Sequence, residues 1–162
     1  MPNYSDPEGF AEWEMTVPES YRRDPIWKTP AYRFGLWLSD LVKRDAKMVL
    51  LADPTRHNDA DQLLRAVGAI SSNLAEGYGR SSGGERARYY DYALATTRES
   101  RDWYFKVRDV LGTDLMEQRH RVLERIVRIL SVIIPRERDE GQKRGRRKRR
   151  NNRPPADDSV GN

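Results

Sequence analysis

Eight lysine and arginine side chains stand between residues 141 and 153 with no acid among them: Lys143, Arg144, Arg146, Arg147, Lys148, Arg149, Arg150 and Arg153. Such a run attracts phosphates by counterion release and does not read base sequence. RNA or another polyanion is therefore one candidate partner; a solubilising tail, shielded by acidic residues elsewhere, is the other reading. Glu117 and His120 stand in E-x-x-H spacing. Carboxylate di-iron bundles use that spacing twice and add two further glutamates. The second histidine, His57, follows Pro54 without such a partner. The ligand set is incomplete, and no metal or other cofactor is expected. The chain has no cysteine, which removes disulfides, thiolate nucleophiles and thiolate metal sites.

Tyr89, Tyr90, Tyr92, Trp103, Tyr104 and Phe105 crowd one stretch beside Arg86, Arg88, Arg101 and Arg108. Aromatics next to arginines can stack on bases. Tyrosine and tryptophan also fill cores and subunit interfaces, and core and interface are the expectation here. A second polar constellation is Ser71-Ser72-Asn73-Leu74-Ala75-Glu76-Gly77. It sets an amide and a carboxylate into an otherwise apolar helical pattern. An unpaired buried amide is costly, so Asn73 should find a partner in Arg98, Arg101 or the 77–80 backbone and fix helix register. A ligand site is the competing reading.

Helices must position all of these groups. Thr29-Pro30 is a cap residue followed by proline at the first helical position. Phe34, Leu38, Leu41, Val42, Met48, Val49 and Ala52 then recur at helical steps until Asp53-Pro54. A second helix should begin at Asp59, with Gln62 in capping spacing, and carry Leu63, Val67, Ile70, Leu74 and Tyr78. Ser82 and Glu85 repeat the capping pattern and start a third helix that should run to Gly112. A fourth opens at Asp114, buries Leu115, Val122, Leu123, Ile126, Val127, Leu130 and Ile133, and should end at Pro135.

Apolar residues are 37% and charged residues 34% of the 162, so part of the chain is expected to stay unfolded. Residues 1–26 read as an acidic, mostly irregular arm with one helical turn around Phe10 to Met15. The competing reading is a docking arm held by its aromatics. Residues 27–136 read as the folded unit, and 137–162 as a basic, disordered tail. The N-terminus is acidic and lacks the apolar segment of a signal peptide. No apolar run is long enough to span a bilayer. A cytoplasmic protein without a membrane partner is expected. Four helices with short connections predict an all-α, antiparallel up-down-up-down four-helix bundle.

The segment Ala69-Ile70-Ser71-Ser72-Asn73-Leu74-Ala75-Glu76-Gly77 resembles the S-I-x-x-N-I-A-E-G motif of the bacterial 23S rRNA intervening-sequence family. A basic, serine-rich turn follows in both, here Arg80-Ser81-Ser82. The family's A-x-G-S-x-x-E pattern is met more loosely by Ala93-Leu94-Ala95-Thr96-Thr97-Arg98-Glu99. The resemblance singles out Asn73, Glu76, Gly77 and Glu99. It implies a four-helix bundle that assembles into a ring, commonly a pentamer, with no established enzymatic activity. More distantly the chain is similar to the accessory proteins of diversity-generating retroelements, basic rings that hold a reverse transcriptase and its RNA. The favoured expectation is a non-enzymatic ring that binds RNA non-specifically as an accessory of a ribonucleoprotein. The alternative is a protein-interaction ring with no nucleic-acid role.

Overall fold

The structure is a computed structural model that describes residue 7 and residues 9–151. Among the described residues every regular element is helical: α1 (Phe10–Thr16), α2 (Glu19–Arg22), α3 (Pro30–Ala52), α4 (His57–Tyr78), α5 (Gly83–Lys106), α6 (Arg108–Leu111) and α7 (Thr113–Asn151). Short 3-10 turns at Pro25–Lys28 and Pro54–Arg56 lead into α3 and α4.

The expected start of α3 is found, with Thr29 at the cap and Pro30 at the first position, and Asp53 closes it. At the head of α5, Ser82 Oγ accepts the Glu85 backbone N–H at 3.1 Å, satisfying a donor with no partner inside the helix. Three boundaries differ from the expectation. Helix α4 begins at His57, two residues before Asp59, because Asp53 caps the preceding turn by accepting from the Thr55 N–H and hydroxyl. Asp59 is then engaged by Arg56, whose Nε donates to it at 3.0 Å. The third helix does not run unbroken to Gly112. It stops at Lys106, and buried Val107 leads into the separate turn α6. Gly112, at φ 84°, ends that turn.

The third difference is the largest. Pro135 lies inside α7, which continues to Asn151. A proline in a helix interior loses one backbone hydrogen bond and crowds the carbonyl four residues back, costing about 3 kcal/mol. Packing on α5 opposes that cost. Ile134 is buried, and half-buried Glu137 accepts from Arg86 Nε at 2.7 Å. Arg138 pairs with Asp91. The reading of 137 onward as a disordered tail is therefore corrected as far as residue 151. What was expected of 152–162 lies outside the described residues.

Helix α4 packs on α3 and α5, and α7 packs on α5 and α3. Gly35, early in α3, lies against Ile70 and Ser71, late in α4. Leu38, Val42, Leu63, Val67, Ile70, Leu74, Leu123, Ile126 and Leu130 fill the space between the long helices. Met48 and Tyr78, expected in the apolar stripes, are exposed.

The N-terminal arm docks. Phe10 is 1% exposed, with ring centroids 4.7 Å from Phe34 and 5.4 Å from Trp37. Trp13 stacks on Trp27 and donates its indole N–H to Asp40 at 2.9 Å. Burying one large aromatic ring is worth about 1.5–3 kcal/mol. The helical turn expected around Phe10 to Met15 is α1, and from Phe10 onward the arm follows the docking reading rather than the mostly irregular one, with short helices tied to α3.

Candidate nucleic-acid interface

The four motif residues do not converge. Asn73 is half-buried, and among the described residues its amide has no hydrogen-bond partner. The expected contacts to Arg98, Arg101 or the following turn are absent. Partial exposure removes the penalty that would have demanded them. Glu76 is exposed and pairs with Arg80, one turn further along. The Tyr89 hydroxyl and the Arg80 guanidinium hold its carboxyl below the usual range. Glu99 is exposed. It lies ten residues beyond Tyr89, about 15 Å along α5.

Gly77 has a steric reason. A Cβ there would stand 2.8 Å from the Tyr90 ring and 2.9 Å from the Tyr89 Cβ. The end of α4 and the start of α5 approach too closely for a side chain. The motif therefore joins two helices through a missing Cβ and a surface cluster of Glu76, Arg80 and Tyr89, whose Oη accepts from Arg80 Nη2 at 2.8 Å.

The buried polar cluster lies elsewhere. Asp45 of α3, Tyr104 of α5 and Arg119 of α7 are all shut off from solvent. Arg119 donates from Nε to Asp45 Oδ2 at 2.7 Å and from Nη2 to Oδ1 at 3.0 Å. Tyr104 Oη donates to Asp45 Oδ2 at 2.9 Å. Burial and the adjacent Asp45 charge push the Tyr104 phenol well above its ordinary value. Sequence reasoning passed over Asp45 and Arg119. The available signal was position: Asp45 interrupts the stripe between Val42 and Val49, and Arg119 the one between Met116 and Val122.

The crowded aromatics of α5 divide. Tyr90 and Tyr104 are core residues, as expected. Tyr92 and Phe105 turn outward, each beside a cation: Arg88 lies 5.7 Å from the Tyr92 ring centre and Arg108 lies 3.7 Å from that of Phe105. Half-buried Trp103 carries Lys106 at 4.1 Å, and Tyr89 carries Arg80 at 4.6 Å.

The E-x-x-H pair does not gather ligands. His120 Nε2 lies 3.0 Å from the Arg101 carbonyl oxygen, and Glu117 is exposed. Among the described residues no group of three or more His, Cys, Asp or Glu is placed to hold a metal. None of the described helices is long and apolar enough to cross a membrane. A groove of about 330 Å³ lies between the N-terminal arm and α3, lined by Trp13, Pro18, Tyr21, Leu36, Asp40 and Lys43. Its two charges are paired with each other at 2.9 Å.

The basic run is displayed on α7. Lys143, Arg144 and Arg147 are exposed helical residues. Arg146, Lys148, Arg149 and Arg150 share the helix, but their side chains lie outside the description, and Arg153 lies outside the described residues. The extension crosses the head of α5 at a glycine pair. A Cβ on Gly83 would stand 2.9 Å from the Gly141 nitrogen, and one on Gly141 2.8 Å from the Gly84 nitrogen. This crossing, with Arg86–Glu137 and Arg138–Asp91, fixes the root of the basic segment at the N-terminal end of α5, the end that carries Arg88, Tyr89 and Tyr92, and the segment runs on past it.

The geometry defines an all-helical protein whose polar groups build helix contacts and charged surface. The model of the 23S rRNA-intervening sequence protein family matches residues 51–135, and the chain belongs to that family. The match covers α4, α5, α6 and α7 up to Pro135; the basic extension lies beyond it. No curated protein and no solved structure matches the chain.

Proposed function

We propose that the chain is an up-down-up-down four-helix bundle that assembles into a ring, pentameric by family resemblance. It binds RNA or another polyanion through the α7 extension without reading base sequence. It acts without catalysis in the cytoplasm as an accessory of a ribonucleoprotein, with a reverse transcriptase as its protein partner by the more distant resemblance. The bundle reading is supported by opposite-end contacts between neighbouring helices: Gly35 with Ser71, Gly77 with Tyr89, Gly83 with Gly141, and Asp45 with Arg119.

The observation that carries the binding role is the helical continuation of α7 past Pro135. It presents Lys143, Arg144 and Arg147 to solvent on an anchored helix. The family's name ties it to inserts in ribosomal RNA genes, which favours RNA among polyanions. Several extensions on one ring would engage one strand together and multiply a weak affinity.

The test measures binding of labelled RNA by fluorescence anisotropy across a range of salt, with light scattering to fix the oligomer. It compares the full chain with a variant carrying glutamine at Lys143, Arg144, Arg146, Arg147, Lys148, Arg149, Arg150 and Arg153. The full chain should bind with a steep salt dependence, and the variant should lose binding while keeping its oligomer. Equal binding by both would remove the extension from the interface. A ring that binds no RNA in either form leaves the protein-scaffold alternative, which exposed Leu51 (74%) and Val132 (51%) favour as apolar contact points.

A further inference from the structure

We infer that the outer face of α5 is a stacking platform for unpaired bases, so that the protein takes single-stranded nucleic acid in preference to duplex. This rests on the nucleic-acid role proposed above and adds the form of the strand.

The geometry is set by helical phase. At about 100° per residue, Tyr89, Tyr92 and Trp103 fall within about 60° of arc and span about 21 Å of helix. Tyr92 is the exposed ring of the three, flanked by half-buried Tyr89 and by Trp103, which packs against the core. Each has a cation over or beside its ring: Arg80 at 4.6 Å, Arg88 at 5.7 Å and Lys106 at 4.1 Å. Arg88 Nε also donates to Tyr92 Oη at 2.8 Å. The Tyr89 and Tyr92 rings meet edge to face, centroids 5.7 Å apart. Tyr92 is 42% exposed. Held by its arginine, it is a preset aromatic surface that loses little freedom when a base stacks on it.

Charge decides what this face contributes. Glu76 pairs with Arg80, and Asp102 pairs with Lys106 at 2.6 Å. Glu85 lies near both Arg80 and Arg88. The cations of the platform are therefore largely compensated within the chain. Phosphate attraction comes from the acid-free α7 extension, which the Gly83–Gly141 crossing sets at the same end of the molecule. The platform supplies stacking, which a duplex with buried base faces cannot use.

The experiment compares a single-stranded RNA 20-mer with its duplex, using the full chain, Tyr92→Leu and Arg88→Gln, with the oligomer and thermal unfolding of each protein recorded. The full chain should prefer the single strand. Tyr92→Leu should weaken single-strand binding about tenfold, the order of one stacked base, and leave duplex binding and the salt slope unchanged. Arg88→Gln should move the same ratio in the same direction. An unchanged single-strand affinity in Tyr92→Leu, or equal losses for both strands, would overturn the platform while the α7 extension stands as the binding element. Loss of the oligomer in these variants would overturn it by making the face a contact between copies. Absence of RNA binding by the full chain would overturn both readings.

Discussion

Arg119 grips Asp45 through two parallel hydrogen bonds, at 2.7 and 3.0 Å, with both side chains sealed from solvent between α3 and α7. Taking two charges out of water is expensive, and paired geometry only repays it. The pair therefore specifies which faces of α3 and α7 meet more than it adds net stability. Removing one partner should be far worse than removing both. Asp45→Leu alone strands a buried guanidinium and should cost about 3–5 kcal/mol. Adding Arg119→Met should recover most of that. Urea unfolding of the single and double variants checks this; a double variant no better than the single would disprove it.

Alkaline pH should destabilise the fold through its buried phenols. Tyr104 titrates well above 10.0 because of burial and the Asp45 charge, and burial also raises Tyr90. Below the unfolded value both forms of the chain hold the proton, and these groups are neutral to stability. Above it the unfolded chain gives up protons that the folded chain retains, so stability falls as pH rises. Thermal unfolding measured from pH 8 to 11, alongside tyrosinate absorbance, should show melting temperature falling above about pH 10. Tyr104→Phe should flatten that fall while costing about 1 kcal/mol at neutral pH for the lost hydrogen bond.

Glycine substitutions should separate by what a Cβ would meet. Gly77→Ala would drive a methyl into the Tyr89 and Tyr90 side chains, and Gly83→Ala would force α7 off the head of α5. A Cβ on Gly68 meets nothing within 4 Å. Gly68→Ala should stabilise by up to about 1 kcal/mol through helix propensity. Gly77→Ala should destabilise by about 1–3 kcal/mol, the usual range for overpacking. In Gly83→Ala, tryptic cleavage after Lys143 and Arg144 should accelerate while the core melts nearly as before.

The N-terminal arm should be anchored mainly by Phe10. Phe10→Ala empties a pocket walled by Phe34 and Trp37 and should cost about 3 kcal/mol. Tryptophan fluorescence, to which Trp13, Trp27 and Trp37 at the dock contribute, should shift to the red before the far-UV helical signal is lost. A cooperative loss of both would instead make the arm part of the same folding unit.

The four long helices were legible because their apolar residues recur at three- and four-residue steps, and because Thr29-Pro30 and Ser82-x-x-Glu85 mark starts that any surrounding would respect. The basic charge of residues 141–153 is likewise a property of composition alone. So was the family, through the run from Ala69 to Gly77.

Tertiary structure decided the rest. Local rules end a helix at Pro135, yet Ile134 is buried and Glu137, Arg138 and Gly141 find partners on α5, which together oppose the missing hydrogen bond. Position alone marks Asp45, which interrupts the stripe between Val42 and Val49, but its meaning comes from Arg119, seventy-four residues away. Asn73 and Glu99 look alike as motif positions, and only packing shows that neither is enclosed. Periodicity reports which face of a helix is buried; which polar groups share the space behind it depends on how the helices meet.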